Sequence, residues 1–522
     1  MNLYGSKLFY LFLVLFLFVL QFVLLVACRP EIQRRRFFIK RRTLDLVFYI
    51  CIALSVASLF RLYPGNAAAP IQDSSAFLYI GRRMTEGKLP YRDLFDHKGP
   101  VLYLIQWLGI WAIPDSFTGV WLLEVLNLFA TGMCLRKLAA LVSDNDVNAY
   151  LSVMAAVGVC GWMVWQGGNF TEEFALPWIS AAAYICFRFI CYREYRAVDI
   201  LILGAGFGVV LLLRANMIAA WAVLMPPVLL TLLKGRRYRE IGKCTLLFIS
   251  GILIVMLPVL LWARLAGFIS EMWQDYILFN LSYTDSTSTG FTDRLILAGQ
   301  FMLVLWPASA AVLVSLIVAH KNGFAWLNFL FYLFSSFTAA MSGRLYYHYA
   351  IMMLPAAVLP FCICFNCFGK LLSREKTQTD AEPVFLVALF CLMLIGAVSY
   401  RHIFSNPSED DPVTTYLKEN TSVEDDVLIL GNSSWYYLLA DRKTENRFFY
   451  QLPPMEISIE LRDAFLQELQ QYPSDCILIP GGWEERDWIN EMLGDVRMQL
   501  EELSGNQFQK EVFDEFEVYI QN

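Results

Sequence analysis

The chain has 522 residues, 57% apolar and only 17% charged, with a formal net charge of −6. A soluble domain carries about 45–50% apolar and about 25% charged residues, so a wholly soluble protein is excluded. The charge is also split: Arg and Lys sit in short loops between apolar blocks, while Asp and Glu crowd the C-terminal part. No nucleic-acid partner is expected from this distribution.

The first apolar block, Leu8 to Ala27, is longer than a signal-peptide core and has no small-residue cleavage site after it. Arg29 and the run Arg34 to Arg42 follow, so the block reads as an uncleaved helix ending in the cytoplasm. Further blocks run over 44–62, 119–135, 148–165, 174–191, 198–213, 217–233, 241–263, 296–318, 324–341, 349–369 and 383–400. Each approaches the roughly 20 residues that cross a bilayer. The stretch Val101 to Ile113 is shorter and bounded by Pro100 and Pro114, which fits an interfacial or re-entrant helix. With that stretch not crossing, Arg136-Lys137, Arg193 with Arg196, Lys234 to Arg239, His320-Lys321 and Arg374 with Lys376 all fall on the cytoplasmic side. The expected architecture is an α-helical polytopic membrane protein of about 12 spans, with both ends outside. The 12 cysteines lie mostly inside the apolar blocks and read as small hydrophobes.

The unusual polar residues then collect in the outer loops. The first, 63–118, begins a helical pattern after Asp73, with Phe77, Ile80 and Met84 on one side. Asp73 can cap that helix or act as a general base on an acceptor hydroxyl. After Gly87 and Pro90 comes a dense group: Tyr91, Arg92, Asp93, Asp96, His97 and Lys98. Lys98 and Arg92 have the charge to pair with a phosphate leaving group. The loop Asn169-Phe-Thr-Glu172-Glu173 places two carboxylates ahead of a span. Thr171 can cap that helix with a glutamate in its first turn, but two acids exceed what a cap needs. Arg214-Ala-Asn216 interrupts an apolar run, and Arg344-Leu-Tyr-Tyr347-His348 precedes another helix end. Two of the four histidines, His97 and His348, thus fall on the outer face.

After His402 the chain changes character. Asp425 to Asn432 and Cys476 to Pro480 read as buried strands, Ile457 to Tyr472 as a helix, and Phe513 to Ile520 as a last strand. A small α/β extracytoplasmic domain over 402–522 is expected, beside an N-terminal helix and basic loop over 1–43 and a transmembrane domain over 44–401. It has no Gly-rich phosphate loop.

These residues, in this order, resemble the GT-C membrane glycosyltransferases. They are most similar to the branch holding protein O-mannosyltransferases and the bacterial aminoarabinose transferase of lipid A. The Tyr-Arg-Asp-Leu-Phe-Asp-His-Lys-Gly-Pro stretch ending at Pro100 carries most of the likeness. The resemblance implies an inverting enzyme of a bacterial plasma membrane. It would move a sugar from a polyprenyl-phosphate donor to a lipid, polymer or protein acceptor on the outer face. By resemblance Asp73 is the first-loop catalytic carboxylate and Asp96 or His97 stands at a second acidic position beside Lys98. Glu172 and Glu173 supply a second-loop acid, and Arg214, Asn216, Arg344, Tyr347 and His348 join Arg92, Asp93, His97 and Lys98 in binding substrate. His97 departs from the acidic residue that relatives place before the lysine. The first loop has no DxD, so neither a metal nor another cofactor is expected. The rival reading is a transporter or flippase of lipid-linked sugars, which calls for charges near mid-membrane and an internal repeat.

Overall fold

The computed structural model describes residues 41–64, 73–114, 116–286, 290–321, 323–374, 411–480, 494–498, 508–513 and 516–521. The apolar blocks at 8–27 and 383–400 lie outside these residues. Six described helices are long and apolar enough to cross a membrane: Thr118–Ala139, Thr171–Tyr192, Ala215–Lys234, Tyr238–Ala266, Gly323–Ser342 and Tyr347–Lys370. The chain is an integral membrane protein.

The expected count of about 12 spans is not reproduced among the described residues. The block 296–318 is two helices, Phe291–Val304 and Trp306–Val318, meeting at 94°. Pro307 sits in the first turn of the second helix, where it lacks an amide for the preceding turn and crowds its carbonyls. The block 148–165 is an α-helix, Asp146–Val153, that widens into a π-helical stretch over Met154–Cys160. The helix Ala197–Leu211 has only 15 residues. Val101 to Ile113 forms the short helix Pro100–Ala112, as its bounding prolines predict.

Contacts divide the chain into two compact units. The first takes in residues 1–65, 121–261 and 287–404. Its helices approach closely where small residues allow it. A Cβ on Gly204 would come within 2.0 Å of the Phe248 carbonyl, and one on Gly251 within 2.3 Å of the Leu201 carbonyl. The Ala197–Leu211 and Tyr238–Ala266 helices therefore touch backbone to backbone, a packing that apolar side chains alone do not drive in lipid.

The second unit takes in 66–120, 262–286 and 405–522. It holds a four-stranded sheet of β1 (Val427–Ile429), β2 (Cys476–Pro480), β3 (Phe508–Phe513) and β4 (Phe516–Gln521), in the order β1-β2-β4-β3. The first pair is parallel, Val427 facing Cys476, and the rest are antiparallel, Cys476 facing Ile520 and Phe508 facing Gln521. The single last strand expected from 513 to 520 is thus a hairpin. The helix Ile459–Gln471 buries Phe465 and Leu469 against Leu428, Ile477 and Tyr519.

Phe95, from the first outer loop, is part of that same core. It is 1% exposed, and burial of this kind is worth about 1.5–3 kcal/mol for a phenylalanine. Its amide donates to the Arg447 carbonyl at 2.8 Å. Tyr79 stacks on Tyr437 at 4.7 Å and accepts from the Thr444 amide at 2.8 Å. The compact unit therefore runs across the linear boundary at 402. Segments distant in sequence complete one core because neither the Asp73–Thr85 helix nor the short sheet can bury its own aromatics.

Candidate functional site

In the second unit the loop after Gly87 is closed on itself. Tyr91 is fully buried with φ 65°, a conformation rare for a bulky residue, and Pro90 bridges Leu94. Arg92 forks onto Asp93, Nε to Oδ1 at 2.9 Å and Nη2 to Oδ2 at 3.0 Å, and Asp93 Oδ2 also accepts from the Leu89 amide at 2.8 Å. Partial burial opposes ionisation of Asp93, but Arg92 and that amide together hold its carboxyl below the usual range. Both residues are engaged in shaping the turn.

The next three residues form a chain of polar contacts. Tyr450 Oη donates to Asp96 Oδ1 at 2.8 Å, and the His97 amide donates to the same oxygen at 2.6 Å. His97 Nδ1 lies 3.3 Å from that oxygen, and His97 Nε2 lies 3.0 Å from Lys98 Nζ. Lys98 Nζ in turn stands 3.9 Å from Asp73 Oδ2 and 5.6 Å from the Phe77 ring centre. With the proton on Nδ1, Nε2 accepts from the lysine ammonium, while Nδ1 faces Asp96 Oδ1 at 3.3 Å without a hydrogen bond between them. Asn280 Nδ2 fixes the backbone by donating to the His97 carbonyl at 2.7 Å. Arg447 holds the same loop, donating to the Tyr91 carbonyl at 2.8 Å and pairing with Asp275 at 2.5 Å. Burial pushes the Asp275 carboxyl up to about 6, although Arg447 pulls the other way.

Asp73 begins the helix Asp73–Thr85. Among the described residues its carboxylate accepts no hydrogen bond from the first-turn amides; its ionic partner is Lys98. Its side chain is 34% exposed, against 1% for Asp96 and 12% for His97 and Lys98.

The first unit holds a second cluster. Gln166, Gly167, Gly168 and Asn169 all have positive φ, 44°, 100°, 79° and 62°. A Cβ on Gly167 would press on the Arg61 side chain at 2.7 Å, and one on Gly168 on Glu124 Oε1 at 2.6 Å, so the turn needs both glycines. The turn aims the Asn169 amide at Glu173 Oε2, 2.8 Å away. Glu172 accepts from Thr171 Oγ1 at 2.8 Å and pairs with Arg214. Phe170, not Thr171, is the cap residue of the Thr171–Tyr192 helix, and the threonine hydroxyl serves Glu172 instead.

Arg214 lies over the Tyr349 ring at 3.9 Å. His348 stacks flat on Phe170, ring centres 4.1 Å apart, with its Nδ1 3.0 Å from Gln166 Oε1. Tyr346 stacks on the His348 ring at 5.8 Å and accepts from Arg344 Nη1 at 3.3 Å. Glu172, Glu173, Arg214, Arg344 and His348 are thus brought together around the 166–169 turn; among the described residues Asn216 and Tyr347 are not shown in contact with them. Asn216 donates to the Thr338 carbonyl at 3.4 Å, and Tyr347 is exposed. Sequence reasoning missed Tyr450, Asn280, Tyr349, Phe170 and Gln166. The only signal for any of them was the Gly-Gly pair beside Gln166, which marks a tight turn.

The crystal structure of ArnT from Cupriavidus metallidurans bound to undecaprenyl phosphate is similar over 92% of this chain and 97% of that one, with 12% identity and a TM-score of 0.59. That likeness shows the fold, the GT-C fold expected from the sequence. The Archaeoglobus fulgidus oligosaccharyltransferase tethered with an acceptor peptide aligns over 84% of this chain and 69% of that one, at 13% identity and a TM-score of 0.46. Among curated proteins no sequence matches. Residues 33–382, about two-thirds of the chain, match the family described as "Putative competence-induced protein Ccs4 N-terminal domain", and the chain belongs to that family.

Proposed function

We propose that the protein is an inverting glycosyltransferase that moves a sugar from a polyprenyl-phosphate donor to an envelope acceptor, with its site and C-terminal sheet on the extracytoplasmic side. The observation that carries this reading is the Asp73–Lys98–His97–Asp96–Tyr450 chain of contacts. Asp73 is its exposed end, a carboxylate with no structural hydrogen bond among the described residues. As an acceptor oxygen forms its bond to the anomeric carbon from the face opposite the phosphate, Asp73 takes the hydroxyl proton. The anomeric carbon–oxygen bond breaks and its electron pair leaves with the phosphate. Lys98 supplies positive charge where that phosphate charge grows. His97 and Asp96 orient the ammonium, so they act through Lys98 rather than on the sugar. Beside the Glu172–Arg214 pair, Arg344 with the Tyr346 and His348 rings has the charge and aromatic surface to hold a phosphate or sugar ring.

The ArnT structure contains undecaprenyl phosphate, which supports a lipid-phosphate carrier as the donor class. No metal is invoked. A transporter reading fits less well: Glu173 is the third residue and Glu124 the seventh of their helices, no more than about 10 Å from the helix starts at 1.5 Å per residue. The test is sugar transfer by purified protein from a panel of polyprenyl-phosphate sugars, with and without a chelator. Transfer that is lost in Asp73→Asn and unaffected by the chelator supports the reading. Movement of intact lipid-linked sugar across vesicles, without hydrolysis or transfer, would establish the transporter instead.

A further inference from the structure

At the opposite pole of chemistry from the acid-rich loops lies a groove in the first unit. Tyr195, Arg239, Glu240, Gly242, Lys243, Leu246 and Leu247 line about 860 Å³, within the roughly 300–1,000 Å³ typical of small-molecule sites. Its cations are available. Glu240 is paired with Arg237 through two 2.6 Å contacts. Among the described residues Arg239 and Lys243 make neither a hydrogen bond nor an ion pair, and both are exposed. Lys234 and Arg236, just before the helix, are likewise exposed and unpaired among the described residues.

The same groove has an apolar end. Leu246 is 70% exposed, and along the Tyr238–Ala266 helix Ile249, Leu253, Ile254 and Leu257 continue an exposed apolar surface. A groove that is cationic at one end and runs onto a lipid-facing helix at the other has the polarity of a glycerophospholipid. Gly242 forms open floor: a Cβ there would meet nothing within 4 Å.

We infer that this groove is a binding site for an anionic glycerophospholipid, its phosphate held by Arg239 and Lys243 and its acyl chain laid along Leu246 and Leu247. Clustered Lys and Arg beside a spanning helix attract anionic headgroups. With Glu240 already paired to Arg237, the groove's Arg239 and Lys243 leave it net positive, which favours an anionic headgroup over a zwitterionic one, whose ammonium they repel. The site is independent of the proposed transfer reaction and contains none of its residues.

The test uses full-length protein in detergent and native mass spectrometry. Phosphatidylglycerol, phosphatidylcholine and inorganic phosphate are titrated separately, against wild type, the Arg239→Gln/Lys243→Gln double variant and Gly242→Leu. Wild type is expected to retain phosphatidylglycerol over phosphatidylcholine. The double variant should lose that retention by about tenfold or more, and Gly242→Leu, which fills the floor without strain, should lower it while leaving the charges in place. Equal retention of both lipids by wild type overturns the inference. So does undiminished phosphatidylglycerol binding in both variants. Saturable binding of inorganic phosphate that displaces no lipid would assign the cations to a free anion and overturn the lipid site.

Discussion

Around Lys98, polar side chains are linked end to end and one of them, Asp73, stays a third exposed; around Arg214, each carboxylate is closed off. Glu172 is 1% exposed and has both oxygens engaged, by Thr171 and Arg214. Glu173 is fully buried and receives the Asn169 amide. The first arrangement leaves a base able to meet a substrate from outside. The second uses its acids to hold a strained turn and an arginine in place. Four acids were candidates on sequence grounds, and exposure with local bonding separates them.

The variant most able to break that comparison is Asp73→Asn. It should lower turnover by roughly 10²–10⁴-fold, the span for loss of a general base. Stability should hardly change. Because no amide bond to Asp73 is present among the described residues, Asp73→Ala should also stay within about 0.5 kcal/mol of wild type, whereas loss of a true cap costs about 1 kcal/mol. Transfer rates and thermal unfolding of both variants decide it. Near-normal turnover in Asp73→Asn, with a collapse in Glu172→Gln, would move the chemistry to the other cluster.

Arg214→Ala is expected to act on stability. It strands the Glu172 carboxylate in a dry site, and removing one partner of a buried pair costs about 3–5 kcal/mol. Arg214→Lys keeps the charge but loses the flat stacking on Tyr349, so its loss should be smaller. Unfolding midpoints in detergent rank the three proteins. An Arg214→Ala protein as stable as wild type would show that the arginine serves a substrate instead of Glu172.

Asp275 sharpens the comparison through pH. Its carboxyl is pushed up by burial to about 6 from a usual 3.8. The folded state therefore binds a proton more tightly than the unfolded state does. The penalty for ionised Asp275 is fully present above about pH 6 and is relieved as pH falls toward 3.8, by at most about 3 kcal/mol. Asp275→Asn should flatten the pH dependence of stability in that window, as measured against wild type by chemical unfolding. Parallel curves for the two proteins would mean that the carboxyl titrates normally.

The apolar blocks were legible because a bilayer imposes length, and the short Pro100–Ala112 helix because prolines bound it. The strand Cys476–Pro480 was legible from its run of buried residues. What the sequence did not show is partnership. Nothing in the neighbours of Phe95 says that Leu428 and Phe448 bury it. Nor does the sequence around Tyr450 show that its hydroxyl turns onto Asp96, 354 residues away. The two glutamates at 172 and 173 looked like one acid too many, and Arg214, 42 residues away, accounts for the excess. Composition alone also joined the block 296–318, which bends by 94° next to Pro307.

The smallest effect tests whether the C-terminal segment reaches the chemistry at all. Tyr450→Phe keeps the ring, which lies 4.9 Å from Phe449 and 6.5 Å from Phe95, and deletes only the hydroxyl that donates to Asp96. Asp96 is 1% exposed, so water cannot freely replace that donor. A single lost hydrogen bond of this kind should cost about 1–2 kcal/mol of stability. If Asp96 aligns His97 and His97 aligns Lys98, the same change should lower turnover by about tenfold, equivalent to about 1.4 kcal/mol in the barrier. Asp96→Asn retains an oxygen for Tyr450 and the His97 amide but removes the negative charge 3.3 Å from His97 Nδ1, so it should lower turnover at least as much. In the double variant the two losses should fall short of their sum, because both act through one chain of contacts. Full additivity, measured as transfer rates across the four proteins of the cycle, would show that Tyr450 only fills space in the core and that the chain of contacts does not carry the alignment.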